Sequence, residues 1–257
     1  MRIISANLNG IRSAAKKGFF DWMLKQQADV VCIQETKAQE AQLEDEVFSP
    51  PGYFRYFFDA EKKGYSGTAI YSRVEPDKVS TGLGWSHADT EGRWIEAQFG
   101  KLTVASLYLP SGGSSDERHA NKLIFMDRLR EDMKSMRRKH REYIICGDWN
   151  TIHKEIDIRN FKSNQKTSGC TPPEREWIDQ VFTQDGWVDA FRQVNLEAGQ
   201  YTWWSNRGQA WAKNVGWRID YQIITPGLMD RVSSSSVYKD ERFSVHAPLI
   251  VDYDYPL

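Results

Sequence analysis

Cysteine is scarce in this chain: Cys32, Cys146 and Cys170 stand far apart and form no zinc-type spacing. Two of them lie inside strand-like runs, where a thiol acts as a small hydrophobe. A reducing cytoplasm without a structural disulfide is expected. Long apolar runs are also missing, because none approaches the roughly 18 residues that a membrane-spanning helix needs. The opening residues Met1-Arg2-Ile3-Ile4-Ser5 read as a strand, not as a secretory leader, so no membrane partner is expected. Glycine fingerprints of the dinucleotide or P-loop kind are absent, as are repeats of fixed period, which argues against nucleotide-cofactor chemistry. Nor is there an excess of charge of one sign: the formal net charge of −1 excludes a protein that coats nucleic acid by bulk charge. A local basic face stays possible, since the run from Lys134 to Arg141 places six basic or potentially basic groups in eight residues. That run is either the solvated end of a helix or a nucleic-acid surface.

What is present is ordinary globular material with many aromatics. Apolar residues make up 40% of the 257-residue chain and charged ones 27%, enough to build a sizeable core. Ten tryptophans are included, and Trp203, Trp204, Trp211 and Trp217 cluster late in the sequence. Most should pack in the core or in loops, while aromatic faces beside arginine also suit an extruded base or sugar. Apolar runs predict strands near residues 2–6, 29–34, 53–58, 66–71, 93–98, 102–108, 142–147, 219–224 and 247–253. Helical periodicity falls near 16–27, 116–140, 172–184 and 187–193, and Thr171-Pro172-Pro173-Glu174 has the form of a capping box with proline in the first turn. Gly, Ser and Asn concentrate at 111–115, 163–170, 205–208 and 233–236, which predicts loops there. Strands and helices alternate without a linker, so one α/β domain over residues 1–257 is expected.

Polar groups recur where these apolar runs end. Glu35 follows Val30-Val31-Cys32-Ile33-Gln34, where a carboxylate is exposed at a strand tip and free to bind a cation. Asp148 and Asn150 follow Tyr143-Ile144-Ile145-Cys146-Gly147 and, two apart, share one face of a strand end. Asn7 and Asn9 add neutral donors or ligands, and Tyr108 adds a hydroxyl before a Pro-Ser-Gly-Gly turn. His246 lies between apolar segments, and Asp220 can accept its ring proton, fix its tautomer and raise its basicity. Phosphodiester hydrolysis needs this inventory: a hard cation held by few carboxylates, a group that activates water, and donors to the phosphate. The pattern reads as a metal-dependent phosphodiesterase.

These motifs, with Lys63-Gly64-Tyr65-Ser66-Gly67, His153-Lys154-Glu155-Ile156-Asp157 and Asn214-Val215-Gly216-Trp217-Arg218, resemble the exonuclease III family of apurinic/apyrimidinic endonucleases, within the DNase I fold group. The resemblance runs from residue 1 to about 253. It implies a four-layer α/β sandwich, with two central, mostly antiparallel sheets flanked by helices, and a magnesium site at one edge where manganese can substitute. It implies that Glu35 and Asn9 hold the metal and that Asp148 activates water. Asn7, Asn150, Tyr108 and His246 would bind the phosphate, with Asp220 paired to His246. Trp203, Trp217 and Ile219 would wall a pocket for a sugar lacking its base. The implied partner is double-stranded DNA with abasic sites, cut 5′ to the lesion, with possible 3′ to 5′ exonuclease action by a monomer.

Three positions depart from that pattern. Val245 precedes His246 where the family carries aspartate, Ser111 stands in the turn where it carries asparagine, and Asn9 replaces a frequent aspartate. These departures, with Ser80-Thr81-Gly82-Leu83-Gly84 and the basic run ending at Arg141, resemble the catabolite repression control protein branch of the same fold. That resemblance implies the alternative of a translational regulator acting on RNA with the Sm-like RNA chaperone. The retained Glu35, Tyr108, Asp148, Asn150, Asp220 and His246 favour chemistry.

Overall fold

A computed structural model describes residues 1–113 and 115–257. Among the described residues fourteen strands form: β1 (Arg2–Asn7), β2 (Val30–Gln34), β3 (Phe54–Phe58), β4 (Thr68–Ser72), β5 (Lys78–Thr81), β6 (Trp94–Phe99), β7 (Leu102–Tyr108), β8 (Glu142–Asp148), β9 (Val188–Asp189), β10 (Trp203–Trp204), β11 (Gly216–Trp217), β12 (Asp220–Ile224), β13 (Val232–Val237) and β14 (Leu249–Tyr253). The helices are α1 (Ile11–Lys16), α2 (Phe19–Gln26), α3 (Ser86–Asp89), α4 (Asp116–Arg137), α5 (Phe161–Asn164), α6 (Pro172–Thr183) and α7 (Ala190–Val194).

Two six-stranded sheets are ordered β13-β14-β1-β2-β4-β3 and β5-β6-β7-β8-β12-β9. Pairing is antiparallel except for β1 with β2 and β7 with β8. The sheets stack with β1 against β8 and β2 against β7. Alternation within each strand feeds separate cores. Ile3, Val30, Cys32, Ile144, Cys146 and Val251 meet between the sheets. Ile4, Val31 and Ile33 point outward to Phe19, Phe20 and Met23 of α2, while Ile145 and Ile223 face Phe125 and Leu129 of α4 and Ile178 of α6. Strands buried on both faces explain the continuous apolar runs, and the four layers are those expected.

Several boundaries differ from the sequence reading. The helix expected over 16–27 is α2, which starts only after Gly18 at φ 81°, and α1, before that glycine, is not among the expected helices. The segment 187–193 divides into β9 and α7. Residues 233–236, expected as a loop, belong to edge strand β13. There the serines tie the edge to its neighbours: the Ser233 hydroxyl donates to Asp252 O and that of Ser234 to the Asp252 carboxylate. Polar composition marked an exposed edge rather than a turn. Of the loop expected at 111–115, Ser114 lies outside the described residues.

Candidate active site

The two parallel pairs decide where the site lies. β1, β2, β7 and β8 all terminate at one edge of the stacked sheets, presenting Asn7, Gln34, Tyr108 and Asp148. β12 begins there, with Asp220 in register with Asp148. Beneath this edge Gln34 Nε2 donates to Ser106 Oγ at 2.9 Å, pinning one sheet to the other.

Asp148 is buried and held on three sides. Its carboxylate accepts from Asn7 Nδ2 at 2.8 Å, from the Asn150 backbone N–H at 2.8 Å and from Asn150 Nδ2 at 3.3 Å. His246 Nε2 stands 3.8 Å away. Burial raises the Asp148 pKa to about 7, with Asp220 and Glu35 adding repulsion while His246 opposes the rise. Burial alone would lower His246, but Asp220 and Asp148 outweigh it and hold the imidazolium up to about 9. His246 Nδ1 lies 2.9 Å from Asp220 Oδ2. The Tyr108 phenol is pushed well up by burial and by the facing carboxylates of Glu35 and Asp148, so it stays a proton donor.

Asn9, Glu35 and Asn150 follow strand ends with φ of 48°, 54° and 48°, a left-handed backbone that persists only where surrounding bonds enforce it. Gly10 N–H donates to Glu35 O at 2.8 Å, and Asn9 N–H to Asn7 Oδ1 at 2.9 Å. The Lys37 ammonium bonds Asn9 Oδ1 and stands 3.2 Å from Glu35 Oε1. Two hard oxygen donors therefore converge on the Lys37 ammonium, a donor pair of the kind that a hard divalent cation takes. Val245, in the position of the expected aspartate, lines a 250 Å³ cavity with Asn9, Ser13 and Lys17. Asp148, Asp220 and His246 also bring ligand-type atoms within 4.8 Å of one another.

The expected sugar wall assembles as one cluster. Trp203 and Trp217 pair across β10 and β11 and meet edge to face at 5.9 Å, and Ile219 packs with them and with Ile158 and Phe161. Trp203 also bridges to His246, which places the aromatic wall beside the imidazole. Trp204 and Trp211 instead fill a small core with Tyr201. Both N–H groups of the Asn150 side chain are engaged, on Leu109 O and on Asp148, so this amide shapes the carboxylate rather than offering a free donor to a phosphate.

Three contributors escaped the sequence reading. Arg93, buried, donates to Tyr108 O and lies over the Tyr108 ring at 4.8 Å. The Thr202 hydroxyl accepts from Ile219 and Asp220 N–H, both at 3.1 Å. The Ser244 hydroxyl donates to Asn7 O at 2.6 Å and accepts from His246 N–H at 2.9 Å. A buried arginine and single hydroxyls carry little signal, because their role depends on long-range partners. The basic run belongs elsewhere, at the opposite end of β8. Arg137 donates to Asp185 O there, and Arg141 to Gln98 and Gly100. No helix among the described residues is long and apolar enough to cross a membrane.

Comparison with known proteins agrees with this fold. Residues 4–242 match the model of a family described as Endonuclease/Exonuclease/phosphatase. An exodeoxyribonuclease of Bacillus subtilis is 37% identical over 97% of this chain and 98% of its own length. A DNA-(apurinic or apyrimidinic site) endonuclease of Dictyostelium discoideum is 34% identical over 99% of this chain and 71% of its own. The solved structure of an AP endonuclease from Archaeoglobus fulgidus superposes with a TM-score of 0.90, at 27% identity over 99% of this chain and 100% of the other. These likenesses lend no support to the RNA-regulatory branch.

Proposed function

Because the chain belongs to the Endonuclease/Exonuclease/phosphatase family, we propose that it is a DNA repair phosphodiesterase that cuts the backbone 5′ to an abasic site, leaving a 3′ hydroxyl, with 3′ to 5′ exonuclease action on the same edge. The observation that carries this reading is the convergence of Asp148, His246 and Asp220 beside the Trp203–Trp217 wall. A carboxylate raised to about 7 can take a proton from water near neutral pH, and an imidazolium held by Asp220 can bind the phosphate oxygens. Asn7 and Asn150 orient Asp148, and Tyr108 donates its hydroxyl to the phosphate. The half-buried tryptophans accept a base-free sugar turned out of the helix. Glu35 and Asn9 would hold a magnesium ion, for which manganese could substitute, and the cation would supply charge neutralisation at the phosphate. One domain acting as a monomer suffices for all of these roles.

The test is incubation of purified protein with a duplex carrying one abasic site, in magnesium. Cleavage on the 5′ side, absent in EDTA, is expected. Absence of cleavage at every magnesium or manganese concentration, with assembly on A-rich RNA together with the Sm-like chaperone, would replace this reading by the regulatory one.

A further inference from the structure

Behind the catalytic turn lies an ion pair that the chemistry above does not use. Lys122 of α4 and Glu174 of α6 both have fully buried side chains, and Lys122 Nζ donates to Glu174 Oε1 at 2.5 Å. The same ammonium donates to the backbone carbonyl of Asn150 at 2.6 Å. Glu174 Oε2 accepts from Gly169 N–H at 2.7 Å, from Thr171 N–H at 3.1 Å and from the Thr171 hydroxyl at 2.6 Å, and Oε1 accepts from the Ser168 hydroxyl at 3.0 Å. His119 Nε2 faces the carboxylate at 3.6 Å. Two helices, the Asp148–Asn150 turn and the Ser168–Thr171 segment are thus tied at one point.

That point bears on both halves of the site. Asn150 is held at φ 48°, and it is the backbone N–H and side chain of this residue that bind the Asp148 carboxylate. Gly169, at φ +91°, lies so close that a Cβ on it would come within 2.9 Å of Asn150 O and 3.2 Å of the Trp217 ring. Its carbonyl accepts from Ile152 N–H at 2.8 Å, closing the connection behind the turn. A buried pair contributes little net stability compared with an apolar replacement, since desolvation offsets most of the attraction. An exact seat for the neighbouring backbone is a better account of why charge stands here.

We propose that Lys122 and Glu174 are positioning residues for the phosphodiesterase reaction: their buried pair seats the Asn150 carbonyl and Gly169, and so keeps the Asp148 turn and the Trp217 wall in register. This rests on the function proposed above. Neither residue touches the substrate; each acts through Asn150 or Gly169.

The test compares wild type with Lys122→Met and with Lys122→Met/Glu174→Gln. The single variant leaves a carboxylate buried without its partner and should melt well below wild type. The double variant removes both charges while glutamine still accepts from Gly169 and Thr171, so most of the melting temperature should return. Its single-turnover cleavage of an abasic duplex should nonetheless stay down about 10-fold or more, because a displacement on the order of 1 Å can cost about 100-fold. Binding of uncut duplex in EDTA should change less than about twofold, since phosphate contacts supply it. Amide exchange in the double variant should accelerate selectively at Asn150 and Gly169 relative to the amides of β8. Cleavage that returns to the wild-type rate together with the melting temperature would overturn the proposal, as would unchanged exchange at those two amides. Should wild type itself fail to cleave, the nuclease reading falls, while the exchange measurement still decides whether the pair seats these segments.

Discussion

His246 Nδ1 lies 2.9 Å from Asp220 Oδ2, and both groups are buried. The contact fixes which ring nitrogen points at Asp220 and turns Nε2 toward Asp148, 3.8 Å away. An imidazole that cannot rotate, raised by two carboxylates, is poised to stay charged while a neighbouring carboxylate stays basic.

A defined pH profile follows for cleavage. The rate should rise as Asp148, raised to about 7, loses its proton, and should fall as His246, raised to about 9, loses its own. Asp148→Asn should lower single-turnover cleavage by about 10²-fold to 10⁴-fold with the melting temperature near wild type. Asp220→Asn should move the alkaline fall to lower pH, because it removes the largest force holding the imidazolium charged. An alkaline limb that stays in place in Asp220→Asn would show that this pair does not govern the profile.

Restoring the absent carboxylate should tighten metal use. Val245→Asp adds an oxygen on the wall that Asn9 shares, so half-maximal cleavage in a magnesium titration should fall to lower concentration, by about 10-fold. Glu35→Ala should do the reverse, losing cleavage while duplex binding in EDTA is retained. Superimposable titrations for wild type and Val245→Asp would place residue 245 away from the cation.

Trp217 should separate two substrates. Trp217→Ala should slow cleavage of an abasic duplex more than removal of nucleotides from an undamaged 3′ end, because only the base-free sugar needs the aromatic wall. Equal losses that follow a lower melting temperature would assign the ring to packing with Ile158 and Phe161.

Acid stability should report on Asp157. This buried carboxylate accepts from Arg218 Nε at 2.8 Å and Arg192 Nη2 at 2.7 Å. Burial opposes ionisation, but the Arg218 and Arg192 charges outweigh it and hold the group down to about 2. A depressed carboxylate stabilises the fold above its unfolded pKa and loses that contribution as pH falls through the folded one. The window is therefore about pH 4 to 2, and the stake about 2 kcal/mol. Asp157→Asn should be less stable at pH 7 by about 2 to 3 kcal/mol, since the buried Arg218 keeps only Asp189, also at 2.8 Å, as a charged partner. Urea denaturation at pH 7, 4 and 3 should show a flatter acid dependence in the variant; parallel curves would exclude Asp157 as the source.

Period and punctuation in the sequence were enough to determine the α/β class, the positions of most strands, the α6 cap at Thr171 and the residues that end strands with chemistry attached. Those signals are local: alternation, caps and a polar group after an apolar run need no partner to be read. Two strands with no partner yet assigned do not reveal which face or edge they share, so only the tertiary structure decided that Asn7, Tyr108 and Asp148 terminate together, through two parallel pairs stacked face to face. The serines of β13 carry a loop-like composition for a related reason, since an edge strand needs no apolar run of its own once β14 supplies the pairing. Lys122 and Glu174 stand 52 positions apart, and the sequence shows Glu174 only as the closing residue of a helix cap. Their burial and pairing come from the packing of α4 on α6, a long-range arrangement that no local pattern encodes.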